Sequence, residues 1–195
     1  MSNEIKIIIY LLRNKEKELN IRQIARGLRI DYKNVYSLIL QLQKKGILTL
    51  QRFGKSWKIL LNNAPHPLVY EAEYQRKQEI LKNKDLLVML DYFHRHMKTS
   101  FYVLLLFGSY AKRTNTKNSD IDLLFIVPNE LEEKYEQNIQ HIASLLPLKL
   151  HLNIFKEKDF LAMKNSKELT IGSEAIKNNI LLHGIEEYYE LLNER

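Results

Sequence analysis

The chain has 195 residues, 45% of them hydrophobic and none of them cysteine, which gives enough apolar material for a real core and one or two domains and excludes disulfide scaffolds, thiolate zinc sites and cysteine nucleophiles. Its apolar runs, Ile7 to Leu12 and Phe101 to Phe107, fall far short of the roughly 18 residues of a membrane-spanning helix, and Met1-Ser2-Asn3-Glu4 lacks the basic start of a signal peptide, so the expectation is a soluble cytoplasmic protein with no membrane partner. The net charge of +7 is unevenly placed: residues 1–63 hold 13 Lys and Arg against 4 Asp and Glu, and the remainder 17 against 19, so the first third suits a polyanionic partner, or is a solubilising surface.

Ile5, Ile8, Ile9 and Leu12 share one face at helical spacing, which predicts a first amphipathic helix from Asn3 to about Asn14. Asn20 with Gln23 has the form of a capping box, opening a second helix whose Ile21, Ile24, Ala25 and Leu28 face inward. Asp31 caps a third, with Val35, Leu38, Ile39 and Leu42 as its buried stripe and Gly46 as its stop. Two β runs follow, Ile47 to Gln51 and Ser56 to Leu61, around an Arg52-Phe53-Gly54-Lys55 tip. Three helices and a β-wing make a winged helix-turn-helix over residues 1–63. In that architecture the third helix enters the major groove of double-stranded DNA with its outward N-terminal side chains, here Tyr32, Lys33, Asn34, Tyr36 and Ser37, with Gln41 further along. Arg52 and Lys55 on the wing, with some of Arg22, Arg26 and Arg29, would meet phosphate. The same fold also serves as a protein-docking module, and such regulators often act as a homodimer, although no self-complementary seam is visible here.

Asn62 to Pro67 is a cluster of helix breakers. Residues 64–98 then read as a helical linker, Leu68 to Met97, broken near Asn83-Lys84. Residues 99–195 form the next domain. Phe101 to Phe107 is an almost unbroken β-type run, as expected of a central strand covered on both faces, and it ends at Gly108-Ser109. A polar segment from Tyr110 to Ser119 leads into a second strand, Asp120 to Val127. Period-two geometry puts Asp120 and Asp122 on one face, their Cα atoms roughly 6 to 7 Å apart. Two adjacent carboxylates repel unless a cation lies between them, and hard oxygen donors point to Mg²⁺ or Mn²⁺, which bind through one or two carboxylates plus substrate phosphates. Gly108 lets backbone approach a phosphate, the Ser109 hydroxyl and nearby amides can bond its oxygens, and Lys112 and Arg113 can offset triphosphate charge.

Gly108-Ser109 followed at this spacing by Asp120-x-Asp122, between two apolar strands, resembles the signature of the nucleotidyltransferase superfamily related to DNA polymerase β, particularly its minimal nucleotidyltransferase branch. The resemblance runs from Phe101 to about Leu191, with a helix over Glu130 to Leu145, a strand over Lys149 to Phe155 and a short strand at Ile180 to His183. It implies an α+β fold with a small mixed sheet and flanking helices, two metal ions, and transfer of a nucleoside monophosphate from an NTP, ATP above all, to a hydroxyl. By position, Gly108 and Ser109 would hold the triphosphate and Asp120 and Asp122 the metals. Fully active relatives place a third carboxylate on the next strand; here that strand reads Lys149-Leu150-His151-Leu152-Asn153-Ile154-Phe155 and offers His151 as a base and Asn153 as a neutral ligand, or His151 as an ordinary polar residue of a sheet face. Glu157 or Asp159 could substitute from just beyond. Similar proteins include antitoxins that modify a tyrosine of HEPN ribonuclease toxins, so a toxin or other protein acceptor is one expectation. A regulator that has lost catalysis and senses nucleotide is another, and an antibiotic-modifying adenylyltransferase is a third.

Overall fold

The computed structural model describes residues 1–195 except Lys55, Ser100, Leu131, residues 167–169 and residues 194–195, with Glu132 described in its backbone only. Two compact units are present, one of Met1–Glu73 together with Leu192 onward, the other Tyr74–Leu191.

The first unit contains α1 (Asn3–Leu12), α2 (Ile21–Leu28), α3 (Tyr32–Lys44), β1 (Leu48–Phe53) and β2 (Ser56–Leu61). Each helix starts where a short polar side chain can take the orphan amide protons of a first turn. At α2 the box is reciprocal: Gln23 N donates to Asn20 Oδ1 at 2.9 Å and Asn20 N donates to Gln23 Oε1 at 2.8 Å. At α3 Asp31 Oδ1 accepts from Lys33 N and Asn34 N at 2.9 and 3.2 Å. The stripes Ile5, Ile8, Leu12; Ile21, Ile24, Ala25; and Val35, Ile39, Leu42 are all buried, with Ile47, Leu48 and Ile59 closing the core from the hairpin side. β1 and β2 pair antiparallel, Arg52 opposite Trp57 and Phe53 opposite Ser56. Ile59 N donates to Leu19 O at 2.9 Å and a bridge joins Asn20 to Lys58, which ties the hairpin to the start of α2. This is a winged helix.

After α4 (Pro67–Ile80), which runs from the first unit into the second, come α5 (Lys84–His96), β3 (Val103–Leu106), α6 (Gly108–Lys112), β4 (Ile121–Val127), α7 (Glu132–Ser144), β5 (Leu150–Lys156), α8 (Glu157–Asn165), α9 (Ile171–Lys177), β6 (Ile180–His183) and α10 (Ile185–Asn193). Asn83 caps α5 through Asp85 N and Leu86 N, so the long helical stretch does break there. The sheet order is β5-β4-β3-β6; β3 runs antiparallel to both neighbours, while β4 and β5 are parallel, as a crossover through α7 requires. One face of the sheet carries Leu104, Leu106, Ile121, Leu123, Phe125 and Val127 into a core shared with Leu86, Met89, Leu90 and Phe93 of α5 and Tyr135, Ile139 and Ile142 of α7. Leu150, Leu152 and Ile154 of β5 pack on that same core, and the intervening positions turn the other way. The strand expected from Asp120 starts one residue later, because the ladder opens where Ile121 N donates to Lys149 O at 2.8 Å. No helix among the described residues is long and apolar enough to cross a membrane.

Candidate functional site

β4 and β5 pair in register, Asp122 opposite His151 and Leu124 opposite Asn153. Since 121, 123 and 125 are committed to the core, Asp122, His151 and Asn153 share the opposite face. Asp122 Oδ1 lies 3.0 Å from His151 Nδ1, with 24% of the aspartate side chain and 63% of the imidazole exposed. Phe107 N donates to Asp122 O at 3.0 Å, which fixes the end of β3 and the start of α6 against this residue. The other carboxylate oxygen, Oδ2, packs against Gly108 so closely that a Cβ there would collide with it, and Gly108 also has φ +64°. Glycine is thus required twice over, for left-handed backbone and for room beside the acid.

Gly108, Asp122 and His151 therefore meet in one place. Ser109 follows as the second residue of α6, and Asn153 Nδ2 is 3.5 Å from Leu123 O, at the outer limit of a hydrogen bond. Asp120 is exposed, one residue ahead of β4. Lys112 and Arg113 are drawn to carboxylates instead: Lys112 Nζ to Glu174 Oε1 at 3.0 Å and Arg113 Nη2 to Glu79 Oε1 at 2.9 Å. Both pairs are near half-exposed, so each is worth about 0–1 kcal/mol and yields readily to a stronger anion.

A hard divalent cation fits this donor set in one way. Among the described residues no three His, Asp or Glu side chains gather into a metal cage, so Glu157 and Asp159 do not complete one with the aspartates. Asp122 nonetheless presents a carboxylate oxygen over backbone that only glycine leaves open. That supplies one carboxylate ligand of the one or two that Mg²⁺ takes when substrate phosphates and water supply the rest.

Residues 98–178 match the family model of the nucleotidyltransferase domain. The second unit contains a nucleotidyltransferase domain. Such domains generally take a nucleoside triphosphate and a divalent metal, and Gly108, Ser109, Asp120, Asp122, His151 and Asn153 all lie within the matched segment. No curated protein matches the chain. Among solved structures, MepR, a transcription regulator of the Staphylococcus aureus multidrug efflux pump MepA, is similar at 17% identity and a TM-score of 0.35 over 49% of this chain and 76% of its own; a likeness so slight bears on neither fold nor function.

In the winged helix, Tyr32, Lys33, Asn34, Tyr36, Ser37 and Gln41 are exposed on α3, as are Arg22, Arg26, Arg29 and, on β1, Arg52. Lys55 lies outside the described residues. Two features were not singled out from the sequence. One is Trp57, whose ring borders a cavity of about 480 Å³ with Asn20, Ile21, Arg22, Tyr32 and Ser56. The other lies at the far end of β3 from Gly108, where Tyr102 stacks on His183 at 4.3 Å between ring centroids and His94 meets His183 edge-on at 5.2 Å. Burial, with Tyr135 nearby, pushes the Tyr102 hydroxyl up to about 12.

Proposed function

We propose that the nucleotidyltransferase domain moves a nucleoside monophosphate, AMP from ATP, onto a hydroxyl of a protein, RNA or small molecule. The observation that carries this reading is the Asp122 carboxylate held between Gly108 and His151. Asp120 and Asp122 would hold Mg²⁺ or Mn²⁺, whose positive charge stabilises the attacking and leaving oxygens of an in-line displacement. Gly108 and Ser109 bind the triphosphate, and Lys112 and Arg113 exchange their exposed glutamate partners for phosphate. With Nδ1–H donated to Asp122, the outward His151 Nε2 keeps the lone pair that takes the acceptor's proton. The hydroxyl oxygen then bonds the α-phosphorus, the bond to the β-phosphate oxygen breaks and pyrophosphate leaves; Asn153 orients what lies on the same sheet face.

On this reading the winged helix binds double-stranded DNA through Tyr32, Lys33, Asn34, Tyr36 and Ser37, with Arg52 and Lys55 on phosphate. A basic surplus on residues 1–63 supports it. Modification joined to DNA binding in one chain suits a cytoplasmic, self-regulating antitoxin whose acceptor is a toxin. Labelled ATP incubated with Mg²⁺ or Mn²⁺ and candidate acceptor proteins should give transfer that vanishes in Asp122→Asn; undiminished labelling by that variant would remove the assignment.

A second reading is favoured by one specific observation. β5 brings a histidine and no acid to the face of Asp122, and among the described residues no three His, Asp or Glu side chains gather into a metal cage. A domain so built would bind nucleotide and sense it without turnover. Metal-dependent ATP binding with no transfer to any acceptor would select this alternative.

A further inference from the structure

The inner face of the wing, which carries Leu48 and Ile59 into the core, runs outward to the cross-strand pair of Arg52 and Trp57. Cross-strand partners point to the same side of a hairpin, so a guanidinium and an indole stand side by side just beyond the core. Opposite them Tyr32 opens α3 and Arg22 lies in the first turn of α2, and the half-open space lined by Trp57, Tyr32, Arg22 and Asn20 is the cavity of about 480 Å³. A volume of that size takes a small planar molecule. The rings are only partly spent on packing: Trp57 is 46% and Tyr32 44% exposed, Tyr36 is 43% exposed and lies 6.2 Å from Tyr32 in a near-parallel stack, and Phe53 at the wing tip is 65% exposed.

Aromatic faces beside arginines, on a unit with a large basic surplus, are what nucleobases and their phosphates require. In a duplex those faces are covered by stacking, and only base edges reach the grooves. A cavity walled by Trp57 and Tyr32 therefore cannot be filled by paired bases. We infer that the winged helix captures an unpaired stretch of single-stranded nucleic acid, one base entering between Trp57 and Tyr32, further bases stacking on Tyr36 and Phe53, and the backbone phosphates running along Arg22, Arg52 and Lys33. The basic surplus of the whole unit, 13 Lys and Arg against 4 Asp and Glu over residues 1–63, favours a strand over a free nucleotide. The inference rests on the reading that this unit binds nucleic acid, and it adds an unpaired stretch, held at the cavity, to the duplex that α3 meets.

Trp57 is the sole tryptophan of the chain, so its emission reports on this cavity alone. The full chain is titrated with a thymidine oligonucleotide of about a dozen residues, an abasic oligonucleotide of the same backbone, a blunt duplex and thymidine monophosphate. The thymidine strand should quench Trp57, which the blunt duplex should leave undisturbed, and should bind well ahead of the abasic strand and the mononucleotide. Tyr32→Ala should weaken the thymidine strand by roughly tenfold or more, leave the abasic strand unchanged, and be rescued by Tyr32→Phe, which keeps the ring. Equal affinity for the thymidine and abasic strands, Trp57 emission undisturbed by the thymidine strand, or binding of the mononucleotide as tight as the strand would each overturn the inference while leaving nucleic-acid binding in place. Failure to bind any of the four would overturn both.

Discussion

Gly108 is the residue at which backbone, acid and nucleotide grip are decided together. Replacing it with alanine forces a left-handed φ on a residue that resists it, at about 1–3 kcal/mol, and drives a methyl group into the Asp122 carboxylate. Gly108→Ala should lower the thermal unfolding midpoint and abolish nucleotide binding, whereas Ser109→Ala, with nothing to displace, should leave the midpoint unchanged and weaken the nucleotide. His151 makes a different contribution. If its Nε2 is the base, His151→Asn should lower the transfer rate while ATP still binds, since Asp122 keeps its place through Phe107 N; equal loss of binding and rate would recast His151 as a support for Asp122.

At the scale of elements, α3 depends on Asp31, whose single oxygen serves two amides. Asp31→Ala should cost about 1 kcal/mol, seen as a lower unfolding midpoint for the winged helix. The junction of α5 and β6 should respond to pH. Burial first, then the charges of His183 and Lys77, hold His94 below its usual pKa of 6.5, with Asp91 pulling weakly the other way. The unfolded chain thus binds this proton more readily than the folded one, so the contribution is present above about pH 6.5 and lost as pH falls below it. His94→Gln should flatten that acid limb in denaturation followed from pH 7 to pH 5. These elements were largely legible in the sequence because their signals are short-ranged: the Asn20 and Gln23 box, the Asp31 cap, the break at Asn83, and the alternation that turns Leu150, Leu152 and Ile154 away from His151 and Asn153. What could not be read depends on distant partners. The start of β4 at Ile121 is set by Lys149; Lys112 finds Glu174, 62 residues away; and the cavity under the wing exists only because the hairpin folds Trp57 back towards Tyr32.

For the whole molecule, the division of charge follows the division into units. The basic residues that precede Asn62 should make nucleic-acid affinity fall steeply with salt, and Lys33→Ala and Arg52→Ala should each reduce the slope of log affinity against log salt by about 1. The nucleotidyltransferase domain, without such a surplus, should hold ATP through geometry and a divalent ion, with little dependence on monovalent salt. That contrast can be read in one salt series with two ligands. The most direct measurement is calorimetric titration of the full chain with ATP, with and without Mg²⁺ or Mn²⁺, beside Asp122→Asn. Binding that needs the divalent ion and disappears in the variant is the predicted result. Binding that is indifferent to both the ion and the substitution would contradict it.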